Sequence, residues 1–189
     1  MKIPQISTYL VILFTSLNFI TAQNNALSAI TSGVYTVSTD NSGIKEVIDT
    51  DNHKTLLAAF KATNLEALLN ESGDFTIFAP SDLAFSKFSQ SKLQAMLSSD
   101  DKKQLKSLLK YHIVAGKLTA SKILKALCRG KGRTTFTTIQ GDKITATMQG
   151  IDIILTDKIG NSAKITVADS TNANGVMHEI DSVILPTRI

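Results

Sequence analysis

The stretch Phe75-Thr-Ile-Phe-Ala-Pro-Ser-Asp-Leu-Ala-Phe85 combines a strand pattern with the start of a helix. Its first five residues are aromatic, β-branched or small and apolar, which predicts a short buried strand that ends at Pro80. Ser81 is then a suitable N-cap for a helix, and Asp82 lies in the first turn, where a carboxylate is favoured. The sequence therefore predicts a core strand that leads directly into a capped helix.

Helical patterns lie on both sides of this stretch, and strand-like patterns dominate the last third of the chain. Leucine spacing predicts helices around Leu56 and Leu69 before it, and around Leu108 and Leu124 after it. Short β-rich segments, separated by turns that contain Gly and Asn, predict strands at 134–139, 143–148, 151–155, 163–168 and 176–185. Helices first and strands later indicate an α+β protein, because βαβ units would interleave the two.

The first 22 residues have the features of a secretory signal peptide. Lys2 is followed by an apolar run from Tyr9 to Ile20 and by the small residues Thr21 and Ala22. This run of about a dozen residues is short for a membrane span, which takes about 20 apolar residues, although an uncleaved anchor is the alternative. We predict a signal peptide at 1–22, an arm at 23–46 and one domain at 47–188, secreted after cleavage near Ala22.

The composition fits one folded domain. The chain has 189 residues, of which 43% are hydrophobic and 19% are charged, as is typical of a globular protein. A single cysteine excludes a disulfide within the chain, and no Cys/His cluster has the spacing of a zinc site. Export without disulfides favours a bacterial source, because small secreted eukaryotic domains tend to be disulfide-stapled. No cofactor or metal is expected.

Two further motifs follow, Leu108-Leu-Lys-Tyr-His-Ile-Val114 and Asn174-Gly-Val-Met-His-Glu-Ile-Asp-Ser-Val-Ile-Leu-Pro186. In order and spacing, the three motifs closely resemble the fasciclin-like domain family, from about Val47 to Pro186. That family has T-x-F-A-P-[ST]-[DN]-x-A-F first, a Tyr-His pair after a leucine-rich helix, and N-G-V-x-H-x-I-D-x-V-L-x-P last. The resemblance implies an α+β fasciclin-like fold, in which a wedge of two β-sheets packs against several helices.

The resemblance also implies a function, namely a secreted or surface-attached module for cell adhesion or matrix contact without enzymatic activity. The expected partner is an extracellular protein or polysaccharide, and we expect a monomer that binds no nucleic acid. His178 is expected to be a buried, hydrogen-bonded histidine and Asp181 a carboxylate that binds backbone. The full set of motif residues with an expected structural role is Phe78, Pro80, Asp82, Phe85, Asn174, Gly175, His178 and Asp181.

Candidate partner-binding residues come from the same resemblance. Tyr111 and His112 match the Tyr-His pair that is proposed to mediate adhesion in the family, but their apolar neighbours equally allow a partly buried, structural position. Animal members carry a Glu-Pro-Asp-Ile segment just before the last motif. The corresponding stretch here is Val167-Ala168-Asp169-Ser170, in which only Asp169 fits. The candidates are therefore Tyr111, His112 and Asp169.

A basic segment suggests a second hypothesis. Residues 102–141 contain ten Lys and Arg and no Asp or Glu. Arg129, Lys131 and Arg133 lie in a loop with two glycines, whose backbone freedom could let the side chains converge. A positive patch attracts polyanions, so the chain could be an anion-binding protein that recognises acidic polysaccharide or a membrane surface. A solvated, lysine-rich helix face is the alternative.

An enzyme is the third hypothesis, and the sequence gives it little support. The histidines, His53, His112 and His178, lack the spacing of a zinc protease motif. Ser81 lacks the Gly-x-Ser-x-Gly pattern that exposes a serine nucleophile. We therefore expect no catalytic residues.

Overall fold

The computed structural model describes residues 51–71, 73–171 and 175–187. The predicted leader at 1–22, the predicted arm at 23–46 and Asn174 lie outside the described residues. The helices of the described part are α1 (Lys54–Thr63), α2 (Leu65–Glu71), α3 (Asp82–Lys87), α4 (Gln90–Ser98), α5 (Lys103–Tyr111) and α6 (Ala120–Arg129). Its strands are β1 (Phe75–Pro80), β2 (Ile113–Ala115), β3 (Arg133–Thr137), β4 (Lys143–Gln149), β5 (Asp152–Thr156), β6 (Ser162–Thr171) and β7 (Gly175–Ile180).

The strands form one seven-stranded sheet in the order β2-β1-β7-β6-β5-β4-β3. β1 runs parallel to β7, and the other neighbouring strands are antiparallel. The long strand β6 joins the two halves, since its first residues pair with β5 and its later residues pair with β7 through two register shifts. The α+β class is confirmed, and the predicted wedge consists of two halves of one sheet that share β6.

The two outer strands of this sheet also touch each other. A bridge joins Val114 of β2 to Thr138, which follows β3 directly. The backbone N–H of Ile139 donates to the carbonyl oxygen of Ile113 at 2.8 Å beside that bridge. The sheet therefore curves until its ends meet.

Strand β1 carries the hydrophobic core on both of its faces. Successive side chains of a strand point to opposite faces, and all six residues of β1 are buried. Ile77 and Phe85 belong to a cluster that packs helices α1 to α5 against the sheet. Phe78 belongs to a second cluster, which packs α6 against strands β4 to β6. The stretch at 75–85 therefore links both parts of the core.

The predicted elements differ from the structure in one missing helix and one strand boundary. Helix α4 is missing from the prediction, because only Leu93 and Met96 of its nine residues are buried and the apolar pattern is correspondingly weak. The last strand ends at Ile180 and not at 185. There Asp181 leaves the strand, and its N–H donates to the carbonyl oxygen of Lys164.

Candidate functional site

Three segments of the chain meet around His178. This side chain is fully buried, and its ring stacks on Phe78 with the centroids 5.7 Å apart. Its Nε2 lies 2.6 Å from the carbonyl oxygen of Leu118, and its Nδ1 lies 3.3 Å from the backbone nitrogen of Asp169. Because Asp169 offers a donor and Leu118 an acceptor, the ring is neutral and carries its proton on Nε2. Burial lowers the pKa of His178, although the Leu118 carbonyl and the Asp169 carboxylate act in the opposite direction.

Asp169 holds the beginning of helix α6. It lies in the irregular part of β6 with a left-handed φ of 63°. Its Oδ1 accepts a hydrogen bond of 2.7 Å from the backbone N–H of Ala120, the first residue of α6. Thr119 caps the same helix by accepting from the N–H of Lys122. Asp169 is exposed, as a partner-binding residue must be, but one of its carboxylate oxygens is already committed to the helix N-terminus.

Tyr111 and His112 lie inside the protein. The exposed fraction is 0% for Tyr111 and 2% for His112. The Tyr111 hydroxyl donates to the carbonyl oxygen of Lys143 at 3.0 Å. His112 Nδ1 lies 2.8 Å from the carbonyl oxygen of Leu108, to which it donates. This burial does not fit the predicted role of the two residues in direct partner binding. The burial follows from the apolar residues around them, between α5 and β2.

Burial also sets the ionisation of the pair. It raises the pKa of Tyr111 to about 12, together with the charges of Asp157 and Asp142. It lowers the pKa of His112 to about 4, against the opposing effects of the Leu108 carbonyl and Asp157. Both side chains are therefore uncharged at neutral pH.

The remaining motif carboxylates also bind backbone. Asp181 Oδ1 accepts from the N–H of Lys164 at 2.8 Å and so ties the end of β7 to β6. Asp82 lies at the start of α3, but its two oxygens accept from the N–H groups of Lys54 and Thr55 at the start of α1. Burial alone would raise the pKa of Asp82, but the hydrogen bonds from Thr55 and Lys54 outweigh it and lower the pKa.

The other motif positions lie on the strands. Pro80 is the last residue of β1 and pairs with Ile180 of β7. Gly175 opens β7 opposite Phe75. Ser81 Oγ accepts from the N–H of Ala84, so it caps α3.

The loop after α6 is a tight turn that, with the residues at its two ends, presents three cations. Arg129 is the last residue of α6, Lys131 lies in the turn and Arg133 is the first residue of β3. A Cβ on Gly130 would lie 1.8 Å from the carbonyl oxygen of Arg133, so glycine is required at this position. Lys131 has a left-handed φ of 53°. The expectation of backbone freedom is therefore wrong. The turn itself positions Arg129, Lys131 and Arg133, which are all exposed.

The lysines of helix α5 line a separate groove, which we call the α5 groove. Lys103, Lys106 and Lys110 face Ile139 and Gln140 across a volume of about 280 Å³. The lining of the α5 groove includes none of the three loop cations. The sequence pattern does not reveal this groove, because the groove depends on a contact between a helix and a turn that lie 33 residues apart.

Two kinds of site are absent from the described ranges. The His, Cys, Asp and Glu side chains at 51–71, 73–171 and 175–187 form no group of three or more that could hold a metal ion. Within the same ranges, every helix is too short or too polar to cross a bilayer.

Comparisons with known proteins agree with this geometry. A family model described as "Fasciclin domain" matches residues 51–186. Protein sll1483 of Synechocystis is 32% identical over 136 residues, which cover 72% of this chain and 68% of that protein. The immunogenic protein MPB70 of Mycobacterium bovis is 34% identical over 65% of this chain and 55% of its own length.

A solved structure shows the same fold. It is a FAS1 domain pair from the insect cell adhesion molecule fasciclin I, with a TM-score of 0.53 and 20% sequence identity over 78% of this chain. This chain spans about half of that insect chain, 47% of its length.

Proposed function

Because this chain belongs to the fasciclin domain family, we propose that it is a secreted or cell-surface adhesion module. In this proposal it acts as a monomer, binds an extracellular protein or polysaccharide and catalyses no reaction. The insect protein that shares the fold is a cell adhesion molecule, and we carry that class of function over to this chain.

The observation that carries the proposal is the internal use of the motif side chains. His178, Asp169, Asp82 and Asp181 all bond to the backbone of a neighbouring element. A general acid or base must instead reach a substrate. These groups therefore serve to hold helices and strands in place, and recognition falls to the exposed surface between them.

A binding assay tests this function. Beads coated with the purified protein should attach to cells or extracellular material of the source organism more strongly than beads coated with an unrelated secreted protein. Heat-denatured protein on the same beads controls for adhesion by unfolded chains. Equal attachment of native and denatured coatings would contradict the proposal.

The buried tyrosine offers a sharper version of the assay. Tyr111→Phe removes only the hydroxyl that donates to Lys143, and it leaves the ring in place. Because the hydroxyl lies inside the protein, the folded variant should attach as strongly as the wild type. A loss of adhesion in a variant with unchanged stability would instead place Tyr111 in the binding surface.

Secretion depends on the predicted leader at 1–22. We propose that the exported protein begins at or near Gln23. Intact-mass measurement of protein recovered outside the cell tests this directly. Retention of residues 1–22 in that protein would favour the uncleaved anchor.

Anion recognition by the loop after α6 is a second candidate. In the described part of the chain, no carboxylate forms an ion pair with Arg129, Lys131 or Arg133, and the turn holds all three at the surface. The variant Arg129→Ser/Lys131→Asn/Arg133→Ser removes the charges, and Asn tolerates the left-handed backbone at 131. The variant should elute from a heparin column at lower salt than the wild type. Identical elution would mean that the loop cations are only solvated.

A further inference from the structure

The α5 groove contains a row of three lysines, of which only Lys103 has an ion-pair partner in the described residues. Lys103, Lys106 and Lys110 follow each other at helical spacing along one wall. Lys103 has an exposed partner, Asp101, at 3.1 Å, and such a pair contributes little and exchanges readily. In the described ranges, neither Lys106 nor Lys110 forms an ion pair. Three ammonium groups are therefore available to an anion at this place.

This arrangement opposes the stability of the helix. Like charges three or four residues apart repel each other on a helix surface. Lys103 also lies in the first turn of α5, where the helix dipole disfavours a positive charge. Asp101 already offsets the dipole penalty at Lys103, because it accepts from the Lys103 N–H and pairs with its ammonium group. A bound anion would relieve the repulsion among the three lysines.

The opposite wall supplies a different chemistry. Gln140 Nε2 donates to Ser107 Oγ at 2.5 Å, whereas Gln140 Oε1 is buried without a donor within hydrogen-bond distance in the described part of the structure. An unpaired buried acceptor is costly. Gln140 lines the groove, and rotation of its side chain would bring Oε1 from its buried position to a donor bound there. Ile139 adds an apolar contact beside it. The groove thus offers cations, one acceptor for a hydroxyl group and an apolar surface.

These three features match an acidic sugar, which has an anionic group, hydroxyl donors and an apolar ring face. A simple anion such as phosphate would use only the lysines. The volume of about 280 Å³ lies just below the usual range of ligand sites, which begins at about 300 Å³, so the groove suits a single ring. Asp142, which lines the neighbouring cavity beside Gln140, is paired with Lys158 at 2.8 Å, so its charge is compensated.

We propose that the α5 groove binds one acidic sugar unit of a polysaccharide. The carboxylate or sulfate group lies against Lys103, Lys106 and Lys110. The Gln140 side chain turns toward the groove, and a ring hydroxyl donates to its Oε1. The inference rests on the proposed function in one respect, since the chain must meet polysaccharide outside the cell. The polysaccharide would then contact the α5 groove, which is a different surface from the loop after α6.

Two triple variants of the full chain test the site against each other. Lys103→Gln/Lys106→Gln/Lys110→Gln and Arg129→Ser/Lys131→Asn/Arg133→Ser each remove three positive charges, so net charge is matched. Immobilised heparin supplies sulfate groups, alginate supplies carboxylates, and dextran is the neutral control. We expect the helix variant to lose about tenfold in affinity for heparin or alginate and the loop variant to lose less, because exposed charge contacts add modest amounts each.

A second pair of variants tests the hydroxyl contact. Gln140→Leu removes the unpaired acceptor without a change in charge, and it should weaken binding several-fold even at high salt. Gln149→Leu makes the same change at an exposed residue of β4 that does not line the groove, so it should bind as the wild type does. Unchanged affinity of Gln140→Leu would overturn the sugar assignment.

Other outcomes also decide the question. Equal losses in the two triple variants, or equal binding to alginate and to vesicles of phosphatidylglycerol, would mean attraction by charge alone and would refute the groove. The helix variant should unfold at the same temperature as the wild type or higher, which separates lost binding from lost folding. Bead adhesion that persists without any polysaccharide binding would refute the groove and leave the adhesion proposal standing. If the beads do not adhere but only the helix variant loses affinity for the polysaccharide, the adhesion proposal is refuted and the groove stands.

Discussion

The carboxylate of Asp82 accepts a hydrogen bond of 2.8 Å from the backbone N–H of Thr55, which lies 27 residues earlier in the chain. The same carboxylate accepts from the N–H of Lys54. Asp82 therefore caps helix α1 while it stands in the first turn of α3. One side chain of the first motif thus fixes the relative positions of two helices.

Loss of this cap should destabilise α1 specifically. Asp82→Ala leaves two N–H groups at a helix N-terminus without their acceptor, which costs about 1 kcal/mol of unfolding free energy. Ser81→Ala is the matched control, because Ser81 caps its own helix, α3. Amide hydrogen exchange should show faster exchange at Lys54 and Thr55 only in the Asp82 variant. Equal protection of these amides in both variants would contradict the role of Asp82.

The same cap predicts a dependence on pH. The pKa of Asp82 is lowered by its hydrogen bonds, so the stabilisation is present above the ordinary carboxyl pKa and is lost as pH falls through the folded-state value. The protection factor at Thr55, which compares its exchange rate with the intrinsic rate at the same pH, should therefore fall in acid for the wild type. Asp82→Asn, which does not titrate, should not show this fall.

Acid should also destabilise the protein through His112. The pKa of this residue is lowered by burial from 6.5 to about 4 in the folded chain. Between these values the unfolded chain binds more protons, so the free energy of unfolding falls as pH falls, by up to about 3 kcal/mol. Denaturant midpoints at pH 7.5 and pH 4 should therefore differ more in the wild type than in His112→Gln, which keeps a donor for Leu108. The same difference in both proteins would argue against a neutral buried ring.

Asp157 should be among the most sensitive carboxylates of the chain. It is buried and accepts four hydrogen bonds, from the N–H groups of Ile159, Asn161 and Leu185 and from the Asn161 side chain. Asp157→Asn places an NH₂ group against donors, so we expect a loss of about 1–3 kcal/mol in unfolding free energy. Asn161→Ala removes one of these bonds and should cost less. Similar denaturant midpoints for Asp157→Asn and the wild type would contradict this assignment.

Lys131 should be a site where a smaller residue stabilises the fold. Its φ of 53° is unfavourable for a side chain with a Cβ, by roughly 1 kcal/mol, and glycine has no such penalty. Lys131→Gly should therefore raise the thermal midpoint, whereas Lys131→Ala removes the same charge and keeps the strain. A rise of equal size in both variants would attribute the effect to charge.

Local patterns predict one part of this structure, and long-range contacts determine the rest. The cap at Ser81 follows from neighbouring residues, because a short polar side chain directly before a helix favours the N-cap position. The burial of His178 also follows from its neighbours, because it lies in an apolar strand. The partner of Asp82 does not follow in this way. The hydrogen-bond partners of Asp169 and Gln140 do not follow either, because they lie 49 and 33 residues away from these residues along the chain. Such pairs depend on how the helices and strands pack, and the local periodicity of the sequence does not predict contacts between residues this far apart in the chain.

The contact between Val114 and Thr138 limits strand addition at the edges of the sheet. Strands with free backbone groups at the edge of a sheet are templates on which another molecule can add a strand and start a fibre. Here one outer strand, β2, has only three residues, and the bridge ties it to the end of the other. In the described residues, the outer edges of the sheet therefore offer only short open segments on which a second copy could add a strand.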